Sequence, residues 1–451
     1  MLKIQKLGAA LLLAAGTLAT TFANASEGAA GYAYPIDNAY AATIIGTPNG
    51  YKAELPEYTD IPAKEYALKE PGKTDSIPDV FWYEKKGLKY TLTAQKHKAP
   101  LVFAIAGTGA THLSSKMKLF QRAFYNAGFH VVSINSPTVS NFMLNASETA
   151  IPGNLEEDAE DLYKVMKLII EQHPELDVSQ YDLIGYSLGA SHAAFVARLD
   201  EQEKAFNFNK VMMINPPLNL YNSVQKLDRM LEDNIPGGMD NFNTYFRNLI
   251  NNLTQYHKDN PDINLLSSDF LYSAYKDKDP GNYSMQALIG VAFRLSSANL
   301  IFVTDVANNL GYVVPKGTEL TSTTSLTEYS KATRRLGFVD YVNEVYVPYF
   351  NRKTGEDKAS LVNDTSLLSI RDYLINTDKI GLMHNENDPI LQAGEIDQIK
   401  SLFPGRAMVY PTGGHCGNME YRDNVEYMVN YFKTGSDNTA TVASINNGSM
   451  K

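Results

Sequence analysis

The sequence predicts an α/β protein: a mostly parallel central sheet flanked by helices, with a helical cap inserted late in the chain. Three observations predict it. Short, wholly apolar runs alternate with segments of helical period, the pattern of strands buried on both faces and joined by crossover helices. A Gly-x-Ser-x-Gly pentapeptide, Gly185-Tyr186-Ser187-Leu188-Gly189, stands where one such run gives way to a helix. Between 218 and 377 the alternation stops and mainly helical patterns take over.

The chain opens on an export address. Lys3 and Lys6 form a basic n-region, 7–19 is an apolar stretch too short to span a bilayer, and Ala23-Asn24-Ala25 is a small-x-small cleavage site before Ser26. A signal peptide is expected over 1–25, and a mature protein exported to the periplasm or the medium. No later run reads as a membrane span. Residues 26–77, rich in Tyr, Pro and Gly, read as an extended arm. Strands are expected at VFWYEKK (80–86) and LKYTLTAQ (88–95), as a hairpin at the sheet edge.

The first part of the core is expected over 78–217. PLVFAIAG (100–107) is its first buried strand. Leu113, Met117, Phe120, Phe124 and Ala127 then share one helical face, and Gly128 ends that helix. HVVSIN (130–135) is the next strand. Leu155, Ala159, Leu162, Met166 and Ile169 mark a second helix, with Asn154 as N-cap and Glu156, Glu157 and Asp158 at the positive end of its dipole. YDLIGYS (181–187), a helix over 188–199 and KVMMINPP (210–217) follow. In the cap, 218–377, Phe242, Phe246, Leu249, Ile250 and Leu253 share a face, and further helices are expected near 285–299 and 325–350. The core resumes over 378–435 with KIGLMHNEND (379–388), a helix near 393–402, AMVYPTGG (407–414) and a last helix bearing Val425, Met428, Val429 and Phe432. Residues 436–451 read as a disordered tail.

Charge and cysteine usage exclude some functions. Net charge is −10, and loss of Lys3 and Lys6 with the leader takes it to −12, with no Lys/Arg-rich run. Nucleic acid is excluded as a partner, because phosphate binding needs concentrated positive charge. The acidity reads as solubility. Cys416 is the single cysteine, so no intramolecular disulfide forms and burial alone holds the core.

By itself the pentapeptide says little, because a chain this long meets it by chance about once in seven. Its context says more. A nucleophile elbow needs a buried strand, a sharp turn that strains the serine backbone, and a helix. Leu183 and Ile184 supply the strand, Gly185 and Gly189 leave room for the turn, and Ala190, Ala193 and Ala194 make a slim helix. A hydroxyl is a poor nucleophile unless a base sits within hydrogen-bond reach and a carboxylate orients that base. In this architecture the acid and the histidine follow the serine in that order. His257 falls in the helical block and His384 within a strand run. His415 alone stands just after a strand, in YPTGGHCGN. The end of VMMIN offers Asn215 and no carboxylate, whereas KIGLMHNEN is followed by Asp388, with Glu386 as its rival. An oxyanion needs fixed N–H donors; the Leu188 amide is one candidate and Thr108, in AGTGATH, the other, with Gly109 next. A dinucleotide fingerprint is disfavoured because His112 occupies the third glycine's position, and no His-Glu-x-x-His zinc pattern occurs.

AGTG, GYSLGA, NENDPIL and GGHCG resemble the α/β-hydrolase family over 80–217 and 378–433. The resemblance implies a Ser187–Asp388–His415 triad, no metal, no organic cofactor, and a cap inserted after the sixth family strand. Two positions depart from the family pattern: the frequent His-Gly pair before the oxyanion turn is Ala106-Gly107, and the Gly common three residues before the acid is Asn385. The expected activity is hydrolysis of a carboxylic ester through an acyl-enzyme. The aromatic, Met-containing cap suggests a small-molecule substrate with an apolar moiety. An exopeptidase or an acyltransferase would use the same triad, and a non-catalytic binding protein could keep the same fold.

Overall fold

The computed structural model describes residues 31–70, 73–259, 271–272, 275–276 and 281–433, and for 252–259 the backbone alone. The leader expected over 1–25, Gly435 and the tail over 436–451 lie outside the described residues.

Among the described residues eight strands carry the fold: β1 (Ala63–Leu68), β2 (Leu88–Thr93), β3 (Ala99–Ile105), β4 (His130–Ile134), β5 (Val178–Tyr186), β6 (Val211–Ile214), β7 (Ile380–Asn385) and β8 (Ala407–Tyr410). They form one sheet in the order β1-β2-β4-β3-β5-β6-β7-β8. β2 pairs antiparallel with both β1 and β4, and every pair from β4 through β8 is parallel. The register runs Ile105↔Gly185↔Met213↔Leu382 across the centre. The carboxyl ends of β5, β6, β7 and β8 therefore open on the same edge, where ligands bind in parallel sheets.

The helices that frame the site are α1 (Ala39–Ile45), α2 (Ser115–Asn126), α3 (Leu155–Gln172), α4 (Leu188–Glu203), α5 (Leu220–Glu232), α6 (Asn282–Asn308) and α7 (Arg422–Lys433). Side chains alternate across a strand, so one apolar run serves two layers. On β3, Leu101, Phe103 and Ile105 pack toward α3 and α4, while Val102 and Ala104 pack toward α2 and α7. Asn154 caps α3 by accepting from the Glu156 and Glu157 amides at 3.2 and 3.1 Å.

Three expectations need correction. VFWYEKK is not a strand: Asp79–Glu84 is a 3-10 turn. It buries the consecutive residues Val80 and Phe81, which an edge strand with one solvated face would not do, and leaves Trp82 54% exposed. The Phe81 ring meets Phe302 edge-on at 5.8 Å. The partner of β2 is instead β1, which lies inside the region expected as an extended arm, and that region also holds α1. Finally, α6 is long and apolar enough to cross a membrane by length and composition, although no such run was expected. Most of that window, 61%, is buried inside the molecule. α6 carries Arg294, buried against Glu232 at 2.7 Å and Asp228 at 3.4 Å, and Asp305, which accepts from the Tyr312, Val313 and Val314 amides. Paired interior charges of this kind belong to a core helix.

Candidate active site

The site begins with the turn between β5 and α4. Ser187 has φ 54° and ψ −129°, a conformation that costs a non-glycine residue of order 1–3 kcal/mol. Its surroundings enforce it. The Ser187 amide donates to Ile214 O at 2.8 Å, tying the turn to the end of β6. A Cβ on Gly185 would lie 2.0 Å from Gly189 O, and one on Gly189 would lie 2.4 Å from Ile105 O. Both glycines are there because backbone occupies the space of a side chain, and the serine hydroxyl is thereby set above the sheet edge.

The other expected residues reach the same spot from separate strands. His415 stands on the loop after β8, and its Nε2 is 2.9 Å from Ser187 Oγ. Asp388 stands just beyond β7, with His415 Nδ1 2.9 Å from Oδ2 and 3.2 Å from Oδ1. All three side chains are buried. Asp388 accepts two further hydrogen bonds, from Asn215 Nδ2 at 2.9 Å and from the Ile390 amide at 3.1 Å. Burial by itself would raise the Asp388 carboxyl, but the charge His415 can carry, the His415 hydrogen bond and the Ile390 amide hold it below the usual carboxylate range. A carboxylate that stays ionised can orient an imidazole with Nδ1–H toward itself and Nε2 free to accept a proton.

The rivals are engaged elsewhere. Glu386 faces Lys400 at 3.0 Å. His384 is fully buried, its Nε2 3.0 Å from Pro216 O, and burial pushes its imidazole below the ordinary value, so it stays neutral. The side chain of His257 lies outside the described residues. Cys416 is buried directly after His415, and burial pushes its thiol up to about 12, leaving it protonated and inert.

Leu188 and Thr108 line the same pocket. Among the described residues neither of their amides meets an acceptor, whereas the Gly109 amide is committed to Thr138 Oγ1 at 2.8 Å. Thr138 and Asn215 are the residues that sequence reasoning passed over. Asn215 did end a strand at the right edge, but the search there was for a carboxylate, and an amide that anchors one has no signature of its own. The pocket lies under the cap, between Leu188 and Thr108 on one side and Leu300, Tyr341 and Tyr346 on the other. Among the described residues, none of those lining it is charged.

No known family model matches the sequence, and no curated protein is detectably similar to it. Among solved structures, the chain is similar to Est1E from Butyrivibrio proteoclasticus at 10% identity and a TM-score of 0.35, over 77% of this chain and 96% of that one. It is similar to an esterase of Pyrococcus furiosus at 11% identity and a TM-score of 0.39, over 83% and 91% of the two chains. A structure from work on two esterases of Rhizomucor miehei gives 12% identity and a TM-score of 0.39, over 84% and 85%. At these values the likeness carries no argument of its own. The fold follows from the sheet order, the antiparallel β2 and the strained turn after β5.

Proposed function

We propose that this chain, which has the α/β-hydrolase fold, is an exported serine hydrolase that cleaves a carboxylic ester through an acyl-enzyme. The observation that carries the reading is the continuous hydrogen-bonded line from Asp388 through His415 to Ser187, with both steps at 2.9 Å. In this reading His415 Nε2 takes the Ser187 proton as Oγ attacks the substrate carbonyl. The tetrahedral oxyanion forms against the Leu188 and Thr108 amides, each donor being worth about 3 kcal/mol in the transition state. His415 then protonates the departing alcohol, and water, activated by the same imidazole, releases the acid. Asp388 keeps the imidazole in one tautomer and offsets the positive charge it acquires.

The neutral pocket supports an ester over an exopeptidase substrate. A free amino terminus needs a carboxylate to hold it, and among the described residues none lines this cavity. Its apolar walls suit an apolar acyl group. Export through the 1–25 leader belongs to the same proposal.

Hydrolysis of p-nitrophenyl esters against aminoacyl p-nitroanilides tests the substrate class. The expected result is kcat/KM at least about 10²-fold higher for the esters, with octanoate ahead of acetate, since each buried methylene contributes about 0.8 kcal/mol. Preference for the anilides would move the reading to a peptidase.

A further inference from the structure

We propose that Thr43, on helix α1 of the N-terminal segment, is a positioning residue for His415, so that this segment forms part of the working site. The proposal rests on the reading of His415 as the base that serves Ser187.

The loop that carries His415 has an unusual backbone. Gly414 and Cys416 both have positive φ, 56° and 60°. A non-glycine residue holds such a conformation only where its surroundings over-determine it. From the sheet side the loop is held by asparagines of the acid's own segment. The Gly414 amide donates to Asn387 Oδ1 at 2.9 Å, and Asn385 Nδ2 donates to Gly414 O at 2.7 Å. From the other side it is held by α1. The His415 amide donates to Thr43 Oγ1 at 2.8 Å. That hydroxyl donates in turn to Ala39 O at 2.7 Å, one turn back on α1, which fixes its rotamer and aims a lone pair at His415.

The fit is built into the backbone. A Cβ on Gly414 would lie 2.2 Å from Ala39 O, and one on Gly417 would lie 2.1 Å from Ala42 O. The glycines of GGHCG thus admit α1 directly onto the histidine loop. Asn387 Nδ2 donates to Asp37 O at 2.9 Å, tying the acid's segment to the start of the same arm. Asp388 fixes the imidazole by Nδ1, and Thr43 fixes the main chain from which that imidazole hangs. Without Thr43 Oγ1 the His415 amide loses its acceptor, and the loop is free to shift relative to Ser187. A displacement of about an ångström at a reacting group costs of order 10²-fold in rate.

The test compares Thr43→Val, which keeps the shape and removes the hydroxyl, with Thr43→Ser, which keeps the hydroxyl. Two readouts are used on the full chain: p-nitrophenyl butyrate kinetics, and amide hydrogen exchange of peptides covering 411–421. The expected result for Thr43→Val is a kcat lower by about 10²-fold, KM within twofold, and faster exchange in that loop. Thr43→Ser is expected to restore wild-type kcat and exchange. Thr43→Ala carries the same expectation as valine and replaces it if valine prevents folding. The proposal is overturned if Thr43→Val keeps both wild-type kcat and wild-type exchange. It is equally overturned if serine fails to rescue, or if kcat falls only in step with the fraction of protein folded. A wild-type protein that hydrolyses no ester refutes the hydrolase reading, and the exchange comparison then still decides whether Thr43 holds the loop.

Discussion

Asp388→Asn is expected to lower kcat on an ester about 10⁴-fold, with the protein folded and KM within a few-fold. The size follows from the donors around the carboxylate. His415 Nδ1, Asn215 Nδ2 and the Ile390 amide all point at its two oxygens. An asparagine has one acceptor oxygen, so its NH2 must face one of these donors. The amide of Ile390 cannot turn, and an imidazole can exchange tautomers. His415 then takes the form with Nδ1 unprotonated and Nε2–H directed at Ser187, where it cannot accept the serine proton. The hydroxyl stays in place and the base is lost. Glu386→Gln provides the control: its carboxylate faces Lys400, so kcat should stay within about threefold of wild type. Near-normal turnover in Asp388→Asn together with a collapse in Glu386→Gln would reassign the acid.

The second large effect is on folding. Gly185→Ala is expected to destabilise the protein by more than about 3 kcal/mol, because its Cβ would stand 2.0 Å from a backbone oxygen of Gly189 that has no side-chain freedom to yield. Relief requires opening the turn between β5 and α4, at the centre of the sheet. At roughly 1 °C per kcal/mol for a chain of more than 400 residues, the melting temperature should fall by at least about 3 °C. Gly50→Ala, whose added Cβ meets nothing within 4 Å, should stay within about 1–2 °C of wild type. Equal melting temperatures for the two variants would mean that the turn is not packed as described.

These two residues also show which parts of the molecule the sequence disclosed. Gly185, Ser187 and Gly189 sit on a local grammar of strand, turn and helix, and that grammar is written in consecutive residues. Asp388 and His415 are singled out by the same means, each standing just after a strand. The rest is non-local. Thr43 meets His415 across 372 positions, and the seven residues of α1 are too few to display a helical period. Val80 and Phe81 read as strand because they are β-branched and aromatic, yet they pack in one cluster with Leu300, Ile301 and Val303 of α6, far along the chain. Asn215 anchors Asp388 through a side-chain amide that has no sequence pattern. Arg294 carries no local sequence signal; its partners Asp228 and Glu232 lie on α5 and identify the interior of the cap only once the two helices are together.

The central claim is that Ser187 is a nucleophile activated by His415. Labelling with a fluorophosphonate probe tests it most directly, because the probe phosphonylates an activated serine and ignores ordinary hydroxyls. The account predicts that folded wild-type protein gains one probe mass, located on the peptide containing Ser187, and that Ser187→Ala gains none. Folded wild-type protein that stays unlabelled, or a Ser187→Ala variant that labels as well as wild type, would contradict it.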